Sequence, residues 1–456
     1  MIFARYPMRI LQVSTYDIGG GAERVAYNLF HGYRDRGLDS WLVVGQKRGN
    51  DPDVFVIPGD TLRYGGIWSG FWHSIDERLR PYHYQIRGTS RLSQTAQALA
   101  EPVRFFERQR GIEDFHFPGT SRLLDLPPSP PDILHCHNLH GAYFDLRELV
   151  NLSRRLPVVF TLHDAWLLSG HCSHSFGCDR WKTGCGNCPD LEIYPRVLRD
   201  ATAYNWRRKH KIYAQSRFYV STPSRWLMEK VEQSILMQAA VEMKIIPYGV
   251  DLNIFTPGDK TAARVILNLP DDAVIFLFSA ASIRKNQFKD YATMRTAMQN
   301  VAQQKLDRQV IFLALGEDAP TEKISEQAEI RFVPYQSDLQ AIARFYQAAD
   351  VYLHAARADT FPNAVLEALA CGIPVVGSAV GGIPEQVIEN ETGFLLQVGD
   401  AEGMSTAITR LLENPAMREK MGQCAADDAR HRFDLNDQIQ THLDWYTEIL
   451  KKRETH

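Results

Sequence analysis

No uninterrupted apolar run in this sequence reaches the ~20 residues that a membrane-spanning helix needs. The nearest stretch, Ala368 to Pro384, is broken by Gly372, Pro374, Gly377 and Gly381. Charge of one sign is also missing: 51 Lys and Arg face 54 Asp and Glu, so no global nucleic-acid signature exists and no nucleic-acid partner is expected. Repeats and low-complexity tracts are absent, and 45% hydrophobic with 23% charged residues excludes a disordered chain. Arg5 and Arg9 flank nothing long enough for the apolar region of a signal peptide. Seven cysteines in 456 residues are too few for a disulfide scaffold, and a cytoplasmic location with reduced thiols is expected.

What is present is alternation. At about 100–200 residues per domain the length suits two or three domains. Residues 1–235 hold 30 Lys and Arg against 24 Asp and Glu (+6), and the remainder holds 21 against 30 (−9). Short apolar runs at Ile10–Val13, Leu42–Val44, Asp132–His135 and Val158–Thr161 are separated by helical patterns, which implies βαβ units and a parallel sheet. Residues 50–130 break the rhythm and read as a mostly helical insertion, rich in Arg and in aromatics such as Trp68, Phe71, Trp72, Tyr84 and Phe106. A second series begins near Lys244, with strands expected at Ala273–Phe278, Val310–Leu315, Ile330–Val333, Val351–His354 and Pro374–Gly377. The fold class expected is α/β: two Rossmann-like, doubly wound domains over 1–240 and 241–430, facing a central cleft. An amphipathic helix within 431–456 is expected to return to the first domain.

The most informative stretch runs from Ala358 to Val376. Pro362 suits a helix start and Gly372 a stop, so a helix is expected from Asn363 to about Cys371. Asp359 then lies in the preceding loop and Glu367 in the first turns, where carboxylates can accept hydrogen bonds from sugar or ribose hydroxyls. With Phe345-Tyr-Gln-Ala-Ala-Asp350 upstream, Val380-Gly-Gly-Ile-Pro-Glu385 downstream and Tyr248-Gly-Val-Asp251 further back, this segment resembles the E-x7-E region of retaining GT-B glycosyltransferases of family 4. The resemblance spans nearly the whole chain. It implies that Glu367 binds the ribose of a nucleotide-diphosphate sugar, that Asp359 (in place of the commoner Glu) contacts the donor sugar, and that Gly382 and Ile383 belong to the donor-binding turn.

A departing nucleoside diphosphate gains negative charge, so fixed cations beside it lower the barrier. The family carries an Arg several residues before a Lys after the first strand of the second domain. Lys285 is mapped to that lysine, with its neighbour Arg284 as the substitute arginine. In the first domain Gly20 and Gly21 precede a helix, where backbone can approach phosphate closely. They do not form G-x-G-x-x-G, which argues against a dinucleotide dehydrogenase. His135-Cys-His137-Asn138 and Thr161-Leu-His163-Asp164 each follow a strand. The resemblance makes His163 the group that contacts the transferred sugar, oriented by Asp164, with His137 and Asn138 on the acceptor side.

Cys172, Cys178, Cys185 and Cys188 fall in a polar loop, 171–190, with one C-x2-C knuckle. The spacing suits either a structural zinc or a set of free thiols. The basic run Trp206-Arg-Arg-Lys-His-Lys211 suits either a solvated helix face or contact with an anionic lipid surface.

Together these readings describe an enzyme that needs no cofactor for catalysis. It would move a sugar, with retention, to a saccharide or lipid-linked saccharide acceptor at the inner face of the membrane, in exopolysaccharide or surface-glycan synthesis. Two alternatives stand beside it. One is a non-catalytic nucleotide-sugar-binding or assembly partner with the same fold. The other is a zinc-dependent hydrolase built on His135, His137 and the cysteines.

Overall fold

A computed structural model describes residues 8–59, 66–79, 82 and 88–454. The chain divides into two units. The first holds the residues up to Thr222, Met228–Lys244 and the chain from Trp445 onward; the second holds Pro223–Leu227 and Ile245–Asp444.

The first unit is built on a seven-stranded sheet: β1 (Arg9–Tyr16), β2 (Asp39–Gln46), β3 (Val54–Val56), β4 (Ile133–Cys136), β5 (Val158–Thr161), β6 (Phe218–Thr222) and β7 (Ala240–Ile245), in the order β3-β2-β1-β4-β5-β6-β7. The pairs from β3 through to β6 are parallel. Strands covered on both faces need continuous apolar runs. Accordingly Ile10, Leu11, Ile133, Leu134 and Val158–Phe160 are wholly buried. Helix α1 (Gly21–Arg34) follows β1 and turns Val25, Ala26, Leu29 and Phe30 inward. The insertion carries β3 and three helices, α2 (Gly66–Leu79), α3 (Thr89–Ala100) and α4 (Pro102–Gln109); Tyr84 lies outside the described residues.

The second unit repeats the plan with β8 (Val274–Ser279), β9 (Val310–Leu315), β10 (Glu322–Lys323), β11 (Ala328–Val333), β12 (Val351–His354), β13 (Val375–Ser378) and β14 (Gly393–Leu396), ordered β10-β11-β9-β8-β12-β13-β14. Only β10 is antiparallel to its neighbour. In each unit the strand order reverses beside the first strand, between β1 and β4 and between β8 and β12. Such a switch point leaves a crevice beyond the carboxyl ends of the strands, where doubly wound sheets bind ligands.

The long last helix, Leu435–Glu454, contributes to both units. Its early part lies in the second unit, where Gln438 Oε1 accepts from Gly249 N at 2.9 Å. Its later part lies in the first, where Trp445 Nε1 donates to Glu242 Oε1 at 2.7 Å and Tyr446 Oη meets His135 Nδ1 at 2.7 Å.

The apolar reading located β1, β2, β4, β5, β8, β9, β11, β12 and β13, and missed β3, β6, β7, β10 and β14. The sequence Ala-Val-Glu-Met-Lys-Ile of β7 is half-exposed along most of its length, so it shows no continuous apolar run. Ile245 therefore closes the first sheet and does not open a second series.

Candidate active site

The second unit's crevice is lined by the segments after β8 and β12. Gly381 shapes it. Its φ is +60°, and a Cβ there would stand 1.7 Å from the Asp359 carbonyl oxygen. A Cβ on Gly382 would lie 2.1 Å from the Thr360 carbonyl oxygen. The glycine turn therefore lies directly on the Asp359–Thr360 backbone, a contact that no side chain permits. Ile383, fully buried, opens the short helix that follows.

Held this way, Asp359 points at a cation. Lys289 Nζ donates to Asp359 Oδ2 at 2.6 Å, and His354 Nε2 lies 3.2 Å from both Lys289 Nζ and Asp359 Oδ2. The far side of the His354 ring faces Tyr352 Oη at 3.3 Å. Burial alone would raise the Asp359 carboxyl, but Lys289 and His354 more than offset it and hold the group well below the usual carboxylate range. Burial, followed by the Lys289 charge, pushes His354 down to about 4, so its ring is neutral at physiological pH.

One helix further, Glu367 is 5% exposed on the inward face of Asn363–Ala370, and its Oε2 accepts from Tyr346 Oη at 2.9 Å. Arg284 is more peripheral: its backbone N donates to Glu317 Oε2 at 3.0 Å, and its guanidinium pairs with Glu317 Oε1 at 2.5 Å.

In the first unit, the loop after β1 is tied to the loop after β2. Asp17 accepts from the backbone N of Arg48 and Gly49 at 2.7 and 2.8 Å, and the Arg48 guanidinium lies 3.5 Å from the centre of the Tyr16 ring. Gly20 caps α1 and Gly21 begins it, which aims a helix N-terminus along the end of β1.

Beside it, His137 Nε2 donates to Gln12 Oε1 at 2.9 Å, which leaves His137 Nδ1 to accept from His163 Nε2 at 2.9 Å. The relay fixes His163 as its Nε2–H tautomer, with Nδ1 as the acceptor nitrogen. Burial, only partly countered by Asp164, lowers His163 to about 4. Asp164 itself accepts from His140 Nε2 at 2.7 Å and from Trp166 N at 2.9 Å. A cavity of about 440 Å³ opens beside His140 and Trp166, walled by Leu139, Phe117 and Phe144, with Arg108 and Arg196 also among its lining residues.

Among the described residues no three His, Cys, Asp or Glu side chains are grouped to hold an ion. All four cysteines of the loop 171–190 are free thiols, and burial raises the pKa of Cys172, Cys185 and Cys188. Their sulfurs serve local bonds instead: Cys185 Sγ accepts from Gly170 N at 3.3 Å, and Cys188 Sγ donates to the Asp190 carbonyl at 3.3 Å. This arrangement gives no support to a zinc at Cys172, Cys178, Cys185 and Cys188. Nor does it support the zinc-hydrolase alternative, because His135 is wholly buried, with Thr161 Oγ1 at one ring nitrogen and Tyr446 Oη at the other.

The family model described as Glycosyltransferase Family 4 matches residues 19–254, more than half of the 456, and the one described as Glycosyl transferases group 1 matches 259–428. The chain belongs to glycosyltransferase family 4. Among curated relatives, the D-inositol 3-phosphate glycosyltransferase of Saccharomonospora viridis is 31% identical over 220 residues, 46% of this chain and 50% of that protein. The chain thus spans about half the length of the first inositol-phosphate enzymes it matches. The colanic acid biosynthesis glycosyl transferase WcaC of Escherichia coli is 25% identical over 393 residues, covering 81% of this chain and 83% of WcaC. Two solved structures share the fold. Sucrose-phosphate synthase of Thermosynechococcus elongatus has a TM-score of 0.63 at 18% identity, covering 98% of this chain and all of that one. Anabaena HepE, solved with UDP-glucose, has a TM-score of 0.54 at 18% identity, covering 96% and 99%. The fold is GT-B.

In this family 4 chain the structure redistributes three assignments. The cation that meets Asp359 is Lys289, while Lys285 is exposed four residues earlier. Arg284 lies five residues before this lysine and pairs with Glu317. Asp164 is engaged by His140, and His163 is oriented by His137. Asn138 contributes its backbone carbonyl, which accepts from Thr15 Oγ1 at 3.3 Å. Lys289, His140, His354 and Tyr346 were not singled out from sequence. The spacing of Arg284 and Lys289 was the available signal for one of them.

The two lowered histidines carry a pH dependence. A buried histidine that resists protonation contributes stability above its unfolded pKa of about 6.5 and loses it as pH falls toward its folded value. For His163 and His354 the window is pH 6.5 to about 4. The melting temperature is expected to fall by several degrees across it, and His354→Gln to flatten the fall. A flat wild-type profile from pH 7 to 4.5 would remove both rings from this account.

Proposed function

We propose that this chain transfers a sugar from a nucleoside-diphosphate sugar to a saccharide or lipid-linked saccharide acceptor, with retention at the anomeric carbon, in exopolysaccharide or surface-glycan synthesis. The observation that carries this reading is the Lys289–Asp359–His354 cluster beside Glu367 at the switch point of the second sheet. Support comes from HepE, which was solved with UDP-glucose, and from WcaC, which is named for colanic acid biosynthesis.

In the proposed reaction Glu367 accepts from the ribose hydroxyls and Asp359 from the donor sugar. Lys289 meets the charge that grows on the departing diphosphate. The bond from the anomeric carbon to the phosphate oxygen breaks through an oxocarbenium-like state, and the acceptor hydroxyl bonds to the same face. Its proton passes to the departing phosphate oxygen. His163, neutral and fixed in tautomer, accepts a hydrogen bond from a hydroxyl of the transferred sugar. The cavity beside His140 and Trp166 suits the acceptor, because aromatic walls cover a sugar face and arginines bind its oxygens.

The test is a thermal-shift panel of UDP, GDP, ADP and their sugars, followed by NMR of the product formed from the donor that binds. Ligand bound to the native state raises the melting temperature by mass action. A selective shift with retained product is expected. An inverted product would overturn retention, and a shift without transfer to any saccharide acceptor would favour the non-catalytic partner.

A further inference from the structure

The basic run Trp206–Lys211 is partly consumed within the first unit, with Arg207, His210 and Lys211 left exposed. Lys209 is wholly buried and pairs with Glu113 at 3.0 Å, Arg208 donates to the Glu113 carbonyl at 2.6 Å, and Trp206 Nε1 donates to the Trp181 carbonyl at 2.8 Å. The exposed apolar surface lies in the insertion instead.

Helices α2 and α3 enclose a polar cluster and leave large apolar side chains exposed. Ser69 and Asp76 of α2 and Ser93 of α3 are buried, with Ser93 Oγ and Gln97 Nε2 both donating to Asp76 Oδ1. Facing outward are Trp68 (60% exposed), Phe71 (58%), Leu92 (60%), Leu99 (39%), Val103 (70%) and Phe106 (61%). A helical hairpin surrounded by water hides its large apolar residues; this one exposes six of them beside Glu77, Arg78 and Arg91, and buries only the small Ala96 and Ala100 with its polar cluster. The outward residues are continuous. Trp68 Nε1 donates to the Leu99 carbonyl at 3.0 Å, which joins the start of α2 to the end of α3. Phe71 follows Trp68 by one turn, Leu92 shares a face with Leu99, and Val103 and Phe106 begin α4 directly beyond.

The segment is rich in arginine, although Glu77 is exposed beside Arg78. Residues 61–110 hold eight Arg and no Lys against four acids, in a chain whose net charge is −3. Of the acids Asp76 is buried and Glu101 pairs with Arg104 at 3.0 Å, while Arg78, Arg91 and Arg110 are exposed. Tryptophan and phenylalanine on an outward helix face, bordered by arginines, suit the boundary between headgroups and acyl chains of an anionic bilayer.

We propose that the outer face of α2–α4 seats this protein on an anionic lipid surface, with Trp68, Phe71, Val103 and Phe106 entering the acyl boundary and Arg78 and Arg91 at the headgroups. This seat is independent of the transfer reaction, so its failure and the failure of the proposed function are read separately.

The test uses the full chain with vesicles of phosphatidylcholine alone or mixed with phosphatidylglycerol. Sedimentation with the mixed vesicles, weakened by added salt, is expected. The variant W68S/F71S/V103S/F106S should lower the partition coefficient at least tenfold, with circular dichroism and nucleotide-induced thermal shift unchanged. Arg78→Gln with Arg91→Gln should lower it roughly tenfold and flatten the salt dependence. Because the quadruple variant changes the packing around Trp72, the arginine pair provides a second arm that leaves the apolar face intact. Wild-type protein that ignores both vesicle types would overturn the proposal. So would a quadruple variant, or an arginine pair, that partitions like wild type. A wild-type dimer that the quadruple variant converts to monomer, without vesicle binding, would assign the face to a second copy of the chain instead.

Discussion

Lys289→Ala should lower turnover by about a hundredfold or more, the cost typical of losing one fixed group that meets charge developing in a transition state. Lys289 Nζ sits 2.6 Å from Asp359 and 3.2 Å from His354 in a crevice where its side chain is only 19% exposed. Partial burial there reduces the screening of its charge by water. The same geometry predicts a side effect. Without the ammonium, Asp359 keeps a buried carboxylate with no cation beside it, and removing one partner of such a pair is destabilising. The melting temperature of Lys289→Ala should therefore fall. Adding Asp359→Asn should restore much of the stability but none of the turnover. Lys285→Ala, at an exposed position, should cost no more than a few-fold. Single-turnover measurements with saturating donor would check the series. Near-wild-type turnover in Lys289→Ala would remove the charge-stabilising role, and a large loss confined to Lys285→Ala would return that role to the earlier lysine.

The second large effect concerns donor affinity. Glu367 is buried on an inward helix face, where it accepts from a neutral hydroxyl, Tyr346 Oη at 2.9 Å. A carboxylate accepts several hydrogen bonds, and bonds to a charged acceptor are worth about 1.5–3 kcal/mol each. Glu367→Ala should therefore weaken nucleoside-diphosphate binding by at least tenfold, read by calorimetry. Glu367→Gln should fall between the two, since it keeps an acceptor and loses the charge. Tyr346→Phe should shift affinity much less, because it removes the group that positions the carboxylate and not the carboxylate itself. Unchanged affinity in Glu367→Ala would take this residue out of the site.

These predictions show what could be read from the chain. The strands at Val310–Leu315 and Val351–His354 were legible because a strand covered on both faces must be apolar throughout, a property of local sequence. The helix carrying Glu367 was legible for a similar reason: Pro362 and Gly372 bound it whatever surrounds it. The reversal of strand order then places the ends of β1, β4, β8 and β12 at switch points, so the neighbourhood of the site followed from the alternation itself.

What spacing did not decide was which side chains meet. Lys285 and Lys289 lie in one loop, and the path of that loop turns the second toward Asp359. Asp164 adjoins His163 in sequence, yet after a strand end the chain bends, and its carboxylate reaches His140 instead. The arginines and lysines of 206–211 read as a surface run, but their helix packs against Glu113, which takes Lys209 into the interior. The sequence by itself determined the elements and the order in which they alternate, because periodicity and turn chemistry act over a few residues. Only the tertiary structure decided the pairings of the charged groups and which face of the insertion is turned outward. Those depend on residues about 10 to 100 positions apart, brought together by packing, which no local pattern records.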